Sequence, residues 1–339
     1  MNFNGSGPQR LASAMSEIFR DAVGAAVDLY KVMIPIVIAV KLLQELDVIR
    51  YLALPLKPVM GLVGLPDELG LVWATALINN IYSGLIVLFS LAKDTPITTA
   101  QATVLGAMML VAHGLPVELR IARAAGPRFA FQCVLRVAGA LLFGWMLYRI
   151  FQSFDWLQGP ANFPLDVSRE PADSGWIAWG VGEARNLAAI FVIITALVAL
   201  MRLLKAARIT DAMNWLLRPV LRLMGVGPKA STITVIGLTM GLAYGGGLII
   251  HEAKNGGVSR RDVFYSVSLM GLCHSLVEDT LLVAMAGADL SWILWGRLAF
   301  ALVGVALVAA VSRRLPEPFG DRWLWGPAQD AIRTAEEPA

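Results

Sequence analysis

The sequence predicts an all-α, polytopic membrane protein made of two copies of one helical unit, and three observations predict it. Of its 339 residues, 57% are hydrophobic and 16% charged, with a mean hydropathy of +0.65; soluble domains carry about 25% charged residues. Several windows of roughly 18 to 25 mainly apolar residues are long enough to cross a hydrocarbon core of about 30 Å. Finally, the stretch MMLVAHGLPVELRIARAAG (108–126) returns as LMGLCHSLVEDTLLVAMAG (269–287), with a His, an acid five residues on and a closing Ala-Gly in the same places.

Taken in order, residues 1–26 form a polar and then amphipathic N-terminal segment with no cleavable signal pattern. The first copy covers 27–151, with spans expected at 27–46, 69–92, 98–121 and 129–151. A polar linker containing Pro and Gly follows at 152–174. The second copy covers 175–315, with spans at 184–204, 230–251, 262–286 and 290–311, and a polar tail at 316–339 completes the chain. Between the first two spans of each copy lies a shorter piece, DVIRYLALPLKPVMGLVG or TDAMNWLLRPVLRLMGVG, whose basic and apolar residues suit an amphipathic helix at the membrane surface. Trp176, Trp179, Trp292 and Trp295 stand near span starts, where indole rings favour the headgroup region.

The copies keep register over unlike residues. His113 and His274 lie 161 apart, and the same shift carries Pro58 to Pro219, Gly64 to Gly225, Lys93 to Lys254, Met109 to Met270, Glu118 to Asp279, Gly126 to Gly287 and Arg136 to Arg297. Tyr82 and Gly84 match Tyr244 and Gly246 with one residue of slack. Duplicated membrane halves are a hallmark of secondary transporters, whose substrate sites lie at the repeat interface. Four full spans per copy would leave both copies facing the same way; glycine-broken spans folded back as re-entrant hairpins would change that parity. The orientation stays open at this level.

Each copy places a His, an acid and an Arg among apolar residues: His113, Glu118 and Arg136, then His274, Asp279 and Arg297, with Glu278 added in the second. A charge at the centre of a spanning helix costs about 2.5 to 3.5 kcal/mol on insertion scales, so these groups should face the interior and find partners. Acid and Arg on consecutive spans make Glu118–Arg136 and Asp279–Arg297 the expected pairs. Two readings stay open: such pairs fasten helices together, or they build a central site. The histidines favour the second, because they change charge near neutral pH and bind polar solutes, protons or metals. Asn79, Asn80, Tyr82, Tyr244 and Gly245 to Gly247 would line a path where helices unwind; close packing through small residues is the other account.

The chain is read as a non-enzyme. HEAKN puts Asn255 where a zinc protease needs its second His. No P-loop, G-x-S-x-G or paired-cysteine zinc motif occurs, and no cofactor is implied. His251, Cys273, His274 and Glu278 are metal-ligand candidates without a recognised spacing. The two cysteines, Cys133 and Cys273, lie in apolar segments and suggest no disulfide framework. Net charge is only +3 and basic residues gather at segment ends, a pattern that leaves no surface for nucleic acid.

At GLCHSLVEDTLLVAMAGADL and AHGLPVELRIARAAG, and at HEAKNGGVSRRDVFYSVSLMG just upstream, the sequence resembles the nucleoside-recognition, or Gate-domain, membrane proteins of bacteria. The resemblance covers roughly residues 30 to 145 and 190 to 310. That grouping is associated with spore-maturation membrane proteins, the membrane part of ferrous-iron permeases and concentrative nucleoside transporters. It implies two Gate repeats and a transport-like role in the bacterial cytoplasmic membrane, without fixing the cargo. The expectation is thus a transporter for a small polar solute or ion, with proton coupling through the histidines. Its partners are the lipid bilayer and the solute; a homo-oligomer is compatible. A divalent-metal permease and a non-transporting structural or signalling subunit are the alternatives.

Overall fold

The structure, a computed structural model, describes residues 7–46, 51, 54–92, 95–163, 176–206 and 209–325. Lys93, the linker beyond Phe163 and the tail beyond Trp325 lie outside the described residues. The protein is all-α and polytopic: among the described residues there are helices, loops and two isolated bridges, but no strand. Among the described residues, five helices are long and apolar enough to cross a membrane, where the sequence suggested eight spans.

In the first copy, α1 (Gly7–Glu45) runs unbroken for 39 residues, so the amphipathic segment and the first expected span are one helix. A short α2 (Lys57–Leu62) follows. The expected span 69–92 is instead two helices, α3 (Leu69–Ile78) and α4 (Ile81–Leu91). At 10 and 11 residues each, they reach about 15 to 17 Å, half the hydrocarbon thickness. They fold back on each other: a Cβ added to Gly84 would meet Ala76 Cβ at 2.8 Å and the Val72 carbonyl at 3.2 Å. In a continuous helix, positions 72 and 84 would stand about 18 Å apart. The turn is set by Asn80, which caps α4 by accepting from the Ser83 amide.

The next span is α5 (Thr99–Val111) plus α6 (Leu115–Ala125), opened by a Thr98/Gln101 capping box and interrupted at Ala112–Gly114. Gly114 adopts φ +55°, a left-handed conformation that relieves the break without reversing the chain. The pair runs antiparallel to the 26-residue α7 (Phe129–Phe154): Gly144 packs on Met108, Gly139 on Val111, and Arg136 reaches Glu118.

The second copy repeats the plan. It comprises α8 (Trp176–Ala206), α9 (Ile209–Leu223), a hairpin of α10 (Pro228–Met240) and α11 (Leu242–Lys254), a broken span of α12 (Arg260–Cys273) and α13 (Glu278–Ala284), and α14, a π-turn at Trp292–Gly296 continued by Arg297–Ser312. A short α15 (Glu317–Trp323) follows. The hairpin turns at Gly241 (φ 94°, ψ 161°), and the glycine run 245–247 lies within regular helix. Tight packing explains two of the three: a Cβ on Gly245 would stand 2.4 Å from Gly237 Cα, and one on Gly246 2.4 Å from Ile121 Cγ2. Amphipathic α9 buries Leu217 and Leu221 and exposes Trp215 and Leu223, as expected for the membrane surface.

With both hairpins re-entrant and α1, which is not among the five apolar spans, counted as a crossing, each copy would cross three times, the odd number that inverted copies need. Equivalent helices run antiparallel. In α1 and α8, Glu17 and Asp21 pair with Arg202, while Tyr30 donates to the Leu187 carbonyl at 2.5 Å. In the broken spans, Thr103 Oγ1 accepts from the Asp289 amide at 2.8 Å, and Ala125 shares a buried cluster with Val263 at the other end. Burial follows: 78% and 67% of the most apolar windows of the two broken spans lie inside the protein, against 33%, 28% and 7% for α7, α14 and α8, which face lipid. The core therefore sits where the broken spans cross.

Candidate functional site

The crossing point is the pair of helix breaks. Apolar residues before each break bury it: Leu105 and Met108 to Ala112 in one span, Leu269, Met270, Leu272 and Cys273 in the other. Where the helix stops, at Ala112 (ψ 99°) and His274 (ψ 173°), peptide groups lose their helical partners and must find others. Ser275, equivalent to Gly114, takes φ +47°, so both spans leave the break through the same left-handed corner.

Arg136 on α7 satisfies the first break. Its Nε donates to the Val111 carbonyl at 3.1 Å and Nη2 to the His113 carbonyl at 3.0 Å, while Nη1 holds Glu118 Oε2. Arg297 on α14 stands in the same place at the second break, with Nη2 donating to the His274 carbonyl at 3.3 Å. Here the symmetry ends. Arg297 Nη2 also donates to Thr280 Oγ1 at 3.2 Å, Nη1 reaches the Leu110 carbonyl of the other copy at 3.4 Å, and Nε has no hydrogen-bond partner. The expected Glu118–Arg136 pair is formed; the expected Asp279–Arg297 pair is not. Asp279 instead turns across the crossing, with Oδ2 3.7 Å from His113 Nε2, because the antiparallel copies bring an acid of one against the histidine of the other.

The two histidines meet at the crossing, their rings tilted by 45° to each other. Their Nε2 atoms are 3.2 Å apart and their ring centroids 4.9 Å apart. Each Nδ1 lies 2.8 Å from the carbonyl four residues back, Met109 for His113 and Met270 for His274. A carbonyl can only accept, so both Nδ1 atoms carry hydrogen and both rings turn Nε2 into the same space. Glu118 Oε1 faces that space too, 3.3 Å from His113 Nε2 and 3.2 Å from His274 Nε2. His113, Glu118 and His274 are thus close enough for one ion to touch all three.

The remaining sequence candidates fall into three places. Tyr82 donates to Glu278 Oε1 at 3.2 Å, linking the first hairpin to the second broken span. Asn79 donates to Ser83 Oγ at 2.7 Å, so both asparagines secure the hairpin turn. Tyr244 is exposed, Gly246 packs against Ile121 and Gly247 borders open space. Tyr82 and Tyr244 are not structural equivalents, since Ile81 and Leu242, which begin the helices, keep the shift of 161. Among the metal candidates, His251 is exposed at the end of α11, its Nε2 3.0 Å from Asn255 Nδ2, and Cys273 is buried one residue before the break. Sequence reasoning missed Thr280, whose polarity beside two acids was its only signal, and Ser275.

A curated relative supports the broad class. Over 263 residues, 76% of this chain and 81% of its own length, the chain is 27% identical to the uncharacterized membrane protein YvoD of Bacillus subtilis. No family model matches the chain, and no solved structure matches it. The chain is similar to a bacterial membrane protein along most of its length, and its apolar helices contact the lipid bilayer.

Proposed function

We propose that the protein is a transporter for a small polar solute or ion in the bacterial cytoplasmic membrane, with the crossing of the broken spans as its substrate site, and that it belongs with the Gate-domain proteins its sequence resembles. One observation carries this reading: the paired breaks, each flanked by a re-entrant hairpin, gather His113, His274, Glu118 and Asp279 at the buried interface of inverted repeats. A bundle held together only by ion pairs has no use for two histidines whose Nε2 atoms meet at 3.2 Å. Interrupted helices in inverted repeats are how secondary transporters present polar groups at mid-membrane and expose them to each side in turn. The Tyr82–Glu278 bond joins a hairpin to the site and would break when the hairpin moves. A proton held between the two Nε2 atoms would give the coupling expected from the histidines. No enzymatic step belongs to this reading.

The test is uptake into proteoliposomes across nucleosides, amino acids, organic anions and divalent metals, with the His113→Gln/His274→Gln variant alongside. Saturable uptake of one class, lost in the variant, is the expected result. No uptake of any class by folded protein would favour the structural-subunit alternative.

A further inference from the structure

The groups at the crossing define a shape as well as a charge. Their three separations, 3.2 Å between the Nε2 atoms and 3.3 and 3.2 Å from these to Glu118 Oε1, make a nearly equilateral triangle. Ligands of a tetrahedral ion at 2.0 to 2.1 Å stand about 3.3 Å from one another, and the centre of such a triangle is about 1.9 Å from each corner. An ion lying about 0.8 Å out of the plane would therefore meet all three atoms at bonding distance without any side chain moving. Asp279 Oδ2 is 3.7 Å from His113 Nε2 but does not join the set of atoms that one ion could touch together.

The surroundings match what a metal site needs. Each imidazole has its tautomer fixed by the Met109 or Met270 carbonyl, leaving Nε2 free to bind; ligating histidines are held this way, and the outer bond raises their basicity. Glu118 uses one oxygen for Arg136 and keeps Oε1 for the centre. Nitrogen atoms 3.2 Å apart need a shared proton or a cation between them, and Glu118 Oε1, nearly equidistant from both, adds a third ligand for a cation.

We propose that this site binds one divalent first-row transition-metal ion through His113 Nε2, His274 Nε2 and Glu118 Oε1, with water completing a tetrahedron. The proposal rests on the transport reading above and narrows it: the metal is the cargo or the coupling ion. Two imidazoles select against Mg2+ and Ca2+, which favour oxygen ligands, with Ca2+ also needing longer bonds. His251, Cys273 and Glu278 are not ligands.

The experiment titrates the full-length chain, purified in detergent and stripped with a chelator, with Zn2+, Co2+ and Mg2+. Calorimetry should give one Zn2+ per chain, and Co2+ should show the visible bands of a four-coordinate ion. Affinity for Zn2+ should fall at least 100-fold in His113→Gln and in His274→Gln, and stay within 3-fold in His251→Ala. Circular dichroism and gel filtration confirm that each variant is folded; should one histidine variant misfold, the other and Glu118→Gln carry the same prediction. Absence of Zn2+ binding by the folded parent, Mg2+ binding of equal strength, or binding unchanged in the histidine variants would overturn the proposal. Uptake into proteoliposomes separates the two claims. Metal binding without flux of any solute keeps the site and removes the transport reading, whereas uptake of an organic solute without metal binding does the reverse.

Discussion

Replacing Arg136 by Gln should be the most damaging single change in the protein, and its magnitude follows from three contacts. Arg136 is buried; it pairs with Glu118 and donates to the carbonyls of Val111 and His113 at 3.1 and 3.0 Å. Gln is too short to serve all three. The Glu118 carboxylate would lose its guanidinium partner, and removing one partner of a buried pair costs about 3 to 5 kcal/mol. Arg297 gives the internal comparison. It is as buried and caps the same break, yet it meets no carboxylate, its bonds are 3.2 to 3.4 Å long and its Nε is unsatisfied. Its own desolvation is poorly compensated, so Arg297→Gln should cost at most about 2 kcal/mol. Reversible unfolding of the purified protein by increasing SDS in mixed micelles measures both. The double variant Arg136→Gln/Glu118→Gln should recover up to about 3 kcal/mol relative to additivity, since the stranded charge is gone. Equal losses at the two arginines, or a cost below about 1 kcal/mol at Arg136, would refute the reasoning.

The glycine run offers a sign test. Gly245→Ala should destabilise by about 1 to 3 kcal/mol, because its Cβ would strike the backbone of Gly237. Gly247→Ala should instead stabilise by up to about 1 kcal/mol, since nothing lies within 4 Å and alanine favours helix. Asn80→Ala should cost about 0.5 to 2 kcal/mol through loss of the cap that starts α4; the same SDS titration reads all three. Asn162 and Arg123 lie at opposite ends of the α5–α6 span. With Cys133 and Cys273 replaced by alanine, a membrane-impermeant maleimide should label Asn162→Cys and Arg123→Cys from opposite sides of the membrane. Labelling from the same side would contradict a crossing by that span.

Much of this was legible in the residues, for identifiable reasons. The shift of 161 recurs in helix after helix: Leu69 and Ala230, Ile81 and Leu242, Thr99 and Arg260 sit at matching positions. The two histidines marked the site because an apolar segment tolerates such groups only when they are satisfied inside. Hydropathy could not separate a hairpin from a span, since α3 and α4 are apolar along their whole length and a window averages across the turn at Asn79 and Asn80. Three glycines at 245–247 suggested unwinding, but the break fell at Gly241 and two of the three serve close packing. Spacing within one copy could pair Glu118 with Arg136. It could not pair Asp279 with His113, because that contact depends on how the copies cross.

X-ray absorption at the zinc edge of protein loaded with one equivalent of Zn2+ examines directly whether both copies converge on one centre. The account predicts two imidazole nitrogens and carboxylate or water oxygen at about 2.0 to 2.1 Å, with one imidazole lost in His113→Gln and one in His274→Gln. A sulfur shell at about 2.3 Å, a site with no imidazole, or a spectrum unchanged in both variants would contradict it.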